Sequence, residues 1–139
     1  MYTKVLLAVD GSENSMRAAE EAVKIASLIP DCKIEIVYVA DFSKSKKEIL
    51  HSQGKEDLEF SRRKRLSPIE EIIKSKNVAY ELKILHGEPG PTIIEYANNE
   101  KGDLVVIGSR GLNSLQEMVL GSVSHKVVKR VDCPVLIVK

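Results

Sequence analysis

Apolar residues fall along this chain in two alternating rhythms. Residues 5–9 (VLLAV) are apolar without a break, the pattern of a strand buried on both faces of a parallel sheet, and Asp10, Gly11 and Ser12 end the run. From Glu13 the apolar positions Met16, Ala19, Val23, Ala26 and Ile29 recur at helical spacing, with Ser12 placed to cap the helix and Pro30 to stop it. Residues 33–40 (KIEIVYVA) are rich in β-branched side chains and predict a second strand, which gives way to the polar stretch FSKSKKE. The next segment, over 48–76, reads as helical with an interruption at Ser67-Pro68-Ile69-Glu70. Serine, then proline at the first helical position and glutamate at the third, form a capping box, so the helix is expected to restart or kink there and then bury Ile69, Ile72 and Ile73.

Residues 78–85 (VAYELKIL) alternate at Val78, Tyr80, Leu82 and Ile84, as in a strand with one wetter face at a sheet edge. GEPGPTIIEYANNEKG then predicts a loop and a short helix with Ile93, Ile94 and Ala97 inward, stopping near Gly102. Residues 104–107 (LVVI) are wholly apolar and therefore central. A last helix, with Val123, Val127, Val128 and Val131 on its buried face, leads through Asp132-Cys133-Pro134 to the strand VLIV. Five strands alternating with four helical segments predict a doubly wound α/β fold, since parallel strands need helical crossovers. Ligands of such sheets collect at the carboxyl ends of the strands, where the winding reverses. That directs attention to the loops after the two wholly apolar strands, Asp10-Gly11-Ser12 and the stretch from Gly108 to Gly121.

Length and composition add limits. The 139 residues amount to one domain, expected to span 1–139, and 43% hydrophobic with 29% charged residues is an ordinary globular balance. Twenty-one basic residues against 20 acidic ones give a formal charge of +1, too little to select nucleic acid or an anionic membrane. Arg62-Arg63-Lys64-Arg65 reads as a solvated helix face, because Glu56, Asp57 and Glu59 stand beside it and a chain without tryptophan has little with which to stack bases. With no apolar run near the length of a spanning helix or a secretory signal, neither membrane nor nucleic acid is expected as a partner and the location is read as cytoplasmic. Cys32 and Cys133 lie in no metal-binding spacing and read as reduced packing residues. His51, His86 and His125 are scattered; only His86, at a strand end near the expected ligand rim, is retained as a candidate.

The glycines of VVIGSRGLNSLQEMVLGSV carry the chemistry. Gly108, Gly111 and Gly121 fit no Walker A loop, which needs lysine where Ser122 stands, and no dinucleotide fingerprint, which needs glycine where Arg110 stands. They still bring together the ingredients of a phosphate cradle. Gly108 and Gly111 let a backbone approach a ligand, and Gly121, Ser122 and Val123 open a helix whose free N–H groups favour an anion. Ser122 and Ser124 add hydroxyls and Arg110 a counter-charge. The competing reading of the spacing alone is a long surface loop.

With these residues in view the chain resembles the universal stress proteins, whose nucleotide-binding members carry G-x2-G-x9-G-[ST]; Gly108, Gly111, Gly121 and Ser122 match every fixed position. The likeness extends over VLLAVDGSENSMRAAEEA, IVYVAD, GEPGPTIIEYA, DLVVIGSRG, GSVSHKVV and CPVLIVK, essentially the whole chain. The resemblance implies an open sheet of five parallel strands in the order 3-2-1-4-5 with helices on both faces, and ATP at the ends of strands one and four. It implies that Asp10 faces the nucleotide beside Ala8 and Val9, that Val39 contacts adenine and that Ile107 flanks the base. Gly108, Arg110 and Gly111 would wrap ribose and phosphates, and Gly121, Ser122, Val123 and Ser124 would hold the phosphates. Asp10 would also be the protein's ligand to a Mg2+ ion bridging to them. The last strand, residues 134–138 from Pro134 to Val138, would pair with its copy in a homodimer. The expected function is a stress-response or energy-state module that binds ATP, without fast hydrolysis. Two alternatives stay open: a slow ATPase or phosphotransfer enzyme using Ser122, Ser124 or His86, and a nucleotide-free dimeric docking protein.

Overall fold

The computed structural model describes residues 2–40, 55–110 and 121–139. In chain order the elements are β1 (Lys4–Val9), α1 (Glu13–Ser27), β2 (Lys33–Ala40), α2 (Lys55–Lys74), β3 (Ala79–His86), α3 (Pro89–Asn99), β4 (Leu104–Gly108), α4 (Ser122–Arg130) and β5 (Val135–Val138). The strands form one sheet in the order β3-β2-β1-β4-β5, with every neighbouring pair parallel. The winding reverses between β1 and β4, so the carboxyl ends of these two strands open a crevice.

Strand alternation sends the apolar residues to two cores. On one face Val5, Leu7, Val9, Ile34, Ile36 and Val106 meet α1 through Ala18, Ala22 and Val23, and α2 through Leu66, Ile69 and Ile73. On the other, Leu6, Ala8, Val37, Val105 and Ile107 meet Ile93 and Ala97 of α3 and Val127 of α4. Central β4, and β1 from Val5 onward, are apolar because both faces are covered, which is why their sequences lack alternation. Among the described residues β3 is an edge, paired only with β2, and it alternates as expected. Its Glu81 forms ion pairs with Lys83 at 3.2 Å and with Lys33 of β2, clothing that edge in charge.

Three expectations change. The helix does not restart at Ser67-Pro68; α2 runs unbroken from Lys55 to Lys74 with Pro68 inside it. Pro68 is exposed, so the carbonyl deprived of its N–H partner faces water, while the fully buried Leu66, Ile69 and Ile73 hold the helix on the sheet. Val128 is exposed rather than inward, because the buried stripe of α4 passes through Ser124 and Val127. The basic run is not a wholly solvated face either. Arg62 shares the stripe of Leu66, Ile69 and Ile73 and is only 7% exposed. The expectations placed on 41–54, His51 among them, lie outside the described residues.

Both thiols are free, Cys32 buried in the first core and Cys133 packed against the second, and burial pushes both above the ordinary thiol range. They are packing residues, as the sequence implied.

Candidate functional site

The site begins at the end of β1, where the chain must turn from strand into helix within three residues. Gly11 does so at φ +85°, a left-handed conformation open to glycine. Asp10 then reaches over the turn: its Oδ1 accepts the N–H of Ser12 at 2.9 Å and the hydroxyl of Ser15 at 2.8 Å. Ser12 is the N-cap, its hydroxyl accepting the N–H of Ser15. The carboxylate of Asp10 is thereby fixed in orientation at the mouth of the crevice by the first turn of α1.

Across the crevice β4 ends in Gly108. A Cβ there would meet Cβ of Asn14 at 2.8 Å and the backbone carbon and oxygen of the same residue at 3.1 Å. The missing side chain thus admits α1 against β4, a packing requirement that stands beside the ligand approach expected of this glycine. Beyond it, Ser109 donates its N–H to the carbonyl of Val138 at 2.7 Å and accepts the N–H of Gly121 at 2.8 Å, so the loop's two ends are stitched together beside β5. Gly111 lies outside the described residues.

The helix α4 starts at Gly121, the N-cap, which supplies no side-chain acceptor. Its first intrahelical bond runs from the His125 N–H to the Gly121 carbonyl at 2.9 Å, leaving the amides of Ser122, Val123 and Ser124 outside the helical ladder. Those amides and the positive end of the helix dipole make this an anion-seeking terminus. Ser122 is exposed at the opening. Ser124 is buried, and its hydroxyl donates to the Gly108 carbonyl at 2.6 Å. That proton braces α4 on β4 and is not offered outward to a phosphate.

The apolar wall assembles from one face of the sheet. Ala8 and Ile107 are register partners on β1 and β4, and Val39 and Val123 pack against the same core. Val9 turns the other way into the core under α1, so only its backbone lines the crevice. His86 ends β3, opposite Ala40, two strands away from β1, and is exposed.

Two contributors escaped the sequence reading. Arg65 of α2 lays its stem over Gly11, where a Cβ would strike its Cγ and Cδ, and its guanidinium donates to the Tyr38 hydroxyl at 3.0 Å. Tyr38 is the register partner of Val9, so a cation reaches the carboxyl ends of β1 and β2. Asn14, buried in the first turn of α1, donates from Nδ2 to the Arg110 carbonyl at 2.9 Å. The spacing of Arg62, Leu66, Ile69 and Ile73 was a legible sign for the basic run; nothing in the pattern marked Asn14.

Among the described residues no three His, Cys, Asp or Glu side chains gather as a metal cluster, and no helix is long and apolar enough to cross a membrane.

Against known proteins, the model of the universal stress protein family matches residues 1–139. The universal stress protein YxiE of Bacillus subtilis is 36% identical over 155 residues, covering 100% of both chains. Among solved structures, MJ0577 superposes with a TM-score of 0.84 at 27% identity over 100% of this chain and 96% of its own. A universal stress protein in complex with cAMP gives 0.71 at 27% identity, over 99% and 96%. An Arabidopsis thaliana member of that family with AMP bound gives 0.67 at 26% identity, over 99% and 91%.

Proposed function

The chain belongs to the universal stress protein family, and from that premise we propose that it is an adenine-nucleotide-binding regulatory module that takes ATP at the β1/β4 crevice. One observation carries the reading: the oriented carboxylate of Asp10 and the open amides of Ser122, Val123 and Ser124 flank one crevice, beneath an apolar wall of Ala8, Val39 and Ile107. Two family members of this fold hold cAMP and AMP, ligands with the base, ribose and phosphate that such a division of the site fits.

In this reading Val39, Ala8 and Ile107 receive the base, with the backbone of Val9. The segment Gly108, Arg110 and Gly111 wraps ribose and phosphates, and Gly121, Ser122, Val123 and Ser124 hold phosphate oxygens, Ser124 through its amide. A single carboxylate, Asp10, suits a Mg2+ ion that arrives on the nucleotide, since magnesium is commonly held by one or two carboxylates plus phosphate oxygens. The ion would offset phosphate charge; Asp10 orients, and α4 supplies the fixed positive potential. The protein is proposed to work through occupancy rather than turnover. It is also proposed to form a homodimer through the β5 edge, from Pro134 to Val138, where Val135, Leu136 and Ile137 remain only half-buried in the single chain.

The test is to denature purified protein, identify any released small molecule by mass, and titrate the emptied protein with ATP and AMP, with and without Mg2+, by calorimetry. Release of an adenine nucleotide, or saturable binding lost in Gly121→Val while the fold persists by circular dichroism, is the expected result. Absence of both release and binding overturns the reading.

A further inference from the structure

Asn14 stands where the two halves of the crevice meet. It is 6% exposed, and both ends of its amide are engaged: Nδ2 donates to the Arg110 carbonyl at 2.9 Å, and Oδ1 accepts from Nη2 of Arg17. The two partners fix which way the amide points, since a flipped group would set NH2 against a guanidinium and oxygen against a carbonyl. Arg17 is held in turn, with Nε donating to the Lys139 carbonyl at 2.9 Å. The Asn14 Cβ and backbone also fill the space beside Gly108.

Two hydrogen-bonded paths therefore join residues 109–110 to the end of β5. One is direct, from the Ser109 N–H to the Val138 carbonyl; the other runs from Arg110 through Asn14 and Arg17 to Lys139. Ser109 passes the constraint to α4, because its carbonyl takes the Gly121 N–H at the helix start.

We propose that Asn14 is a positioning residue of the phosphate half of the site. Its amide pins the Arg110 carbonyl toward α1, so that the peptide groups of 109–110 and the N-terminus of α4 keep one spacing, and Arg17 holds that amide in register with the end of β5. Asn14 need not touch the ligand. The proposal rests on the nucleotide reading for its ligand, and on the hydrogen bonds alone for its mechanics.

Asn14→Leu removes the donor without adding a charge. It keeps nearly the same volume beside Gly108, and circular dichroism checks that the fold persists. What disappears is the N–H group facing the Arg110 carbonyl, together with the oxygen that holds Arg17. The variant and wild type are titrated with AMP and with adenosine by calorimetry, and amide hydrogen exchange is followed at Ser109 and Gly121 by NMR. The expected result is AMP affinity down by about tenfold, the worth of one lost hydrogen bond, adenosine affinity within about twofold, and faster exchange at both amides. AMP binding equal to wild type, or AMP and adenosine weakened alike, overturns the proposal, the second outcome marking a role in packing only. Should wild type bind neither compound, the nucleotide reading falls by itself. Exchange then decides the rest: faster at Ser109 and Gly121 in the variant supports the positioning role, and unchanged exchange overturns it.

Discussion

Gly108 and Gly90 offer a controlled comparison, because each would carry a Cβ into contact and only one contact is rigid. At Gly108 the new methyl meets Asn14 Cβ at 2.8 Å and its backbone carbon and oxygen at 3.1 Å, atoms fixed by the first turn of α1 and the strand β4. At Gly90, in the first turn of α3, the nearest atom is Cδ of Lys126 at 3.0 Å, the middle of a flexible side chain that is 47% exposed. Neither glycine has a positive φ, so alanine strains neither backbone. Both replacements also reduce the freedom of the unfolded chain, by about 0.4–1 kcal/mol in favour of folding. That gain cancels in the comparison and leaves the clash. Overpacking against a rigid neighbour costs about 1–3 kcal/mol. With an unfolding entropy of about 2 cal/mol/K per residue, 139 residues give roughly 0.3 kcal/mol/K, so Gly108→Ala should melt about 3–10 °C below Gly90→Ala. Gly90→Ala should match or exceed wild type. Differential scanning calorimetry of the three proteins, free of nucleotide, decides the matter. Equal melting temperatures for the two variants would refute the assignment of Gly108 to helix–strand packing.

Two further predictions concern ionisable groups away from the crevice. Asp103 accepts the backbone N–H groups of Thr3 and Lys4, each at 2.9 Å, and these bonds hold its carboxyl below the ordinary carboxylate range. A lowered folded pKa contributes stability that is present above the unfolded value of about 4 and is lost as pH falls through the folded one. Asp103→Asn should therefore flatten the acid limb of a urea-stability profile; an unchanged limb would count against the tie. Tyr96 donates its hydroxyl to the buried Glu35 at 2.8 Å, and burial first, then Glu35, pushes its ionisation well above the usual range. Its contribution is complete below about pH 10 and drains away as pH rises further. Tyr96→Phe should cost about 1.5–3 kcal/mol at neutral pH, as for a hydrogen bond to a charged group, and lessen the alkaline decline. A urea midpoint like that of wild type would show that Lys4, 3.8 Å from Glu35, suffices as its partner.

The sheet was legible in the sequence because burial on two faces leaves no room for polar residues. Residues 5–9 and 104–107 could be nothing but central strands, and the alternation of 78–85 placed β3 at the edge. The helices were legible in their existence but less so in their limits. A helix accommodates a proline more readily where the freed carbonyl can turn to water, and the sequence does not say which side of α2 faces water. Val128 illustrates a related difficulty: adjacent Val127 and Val128 on a short helix cannot both lie in one narrow stripe, and which one is left outside depends on the neighbouring α3. Gly108 stood out by its spacing, but its contact with Asn14 did not, since a glycine needed for close approach looks the same whether a ligand or a helix approaches. Arg65 and Asn14 were not found because their roles depend on meetings of residues 54 and 96 positions apart, at Gly11 and Arg110 respectively. No local pattern records such meetings.

The two borders of the sheet differ in a way that bears on how far association can go. At β3, Lys33, Glu81 and Lys83 clothe the border with charge, whereas β5 offers four apolar residues and then stops. A pair joined β5 to β5 about a two-fold axis turns both charged borders outward, and a third molecule finds no apolar strand left to extend. In the proposed dimer, growth would end at two through the same feature that starts it, so raising the concentration should fill pairs without seeding ribbons.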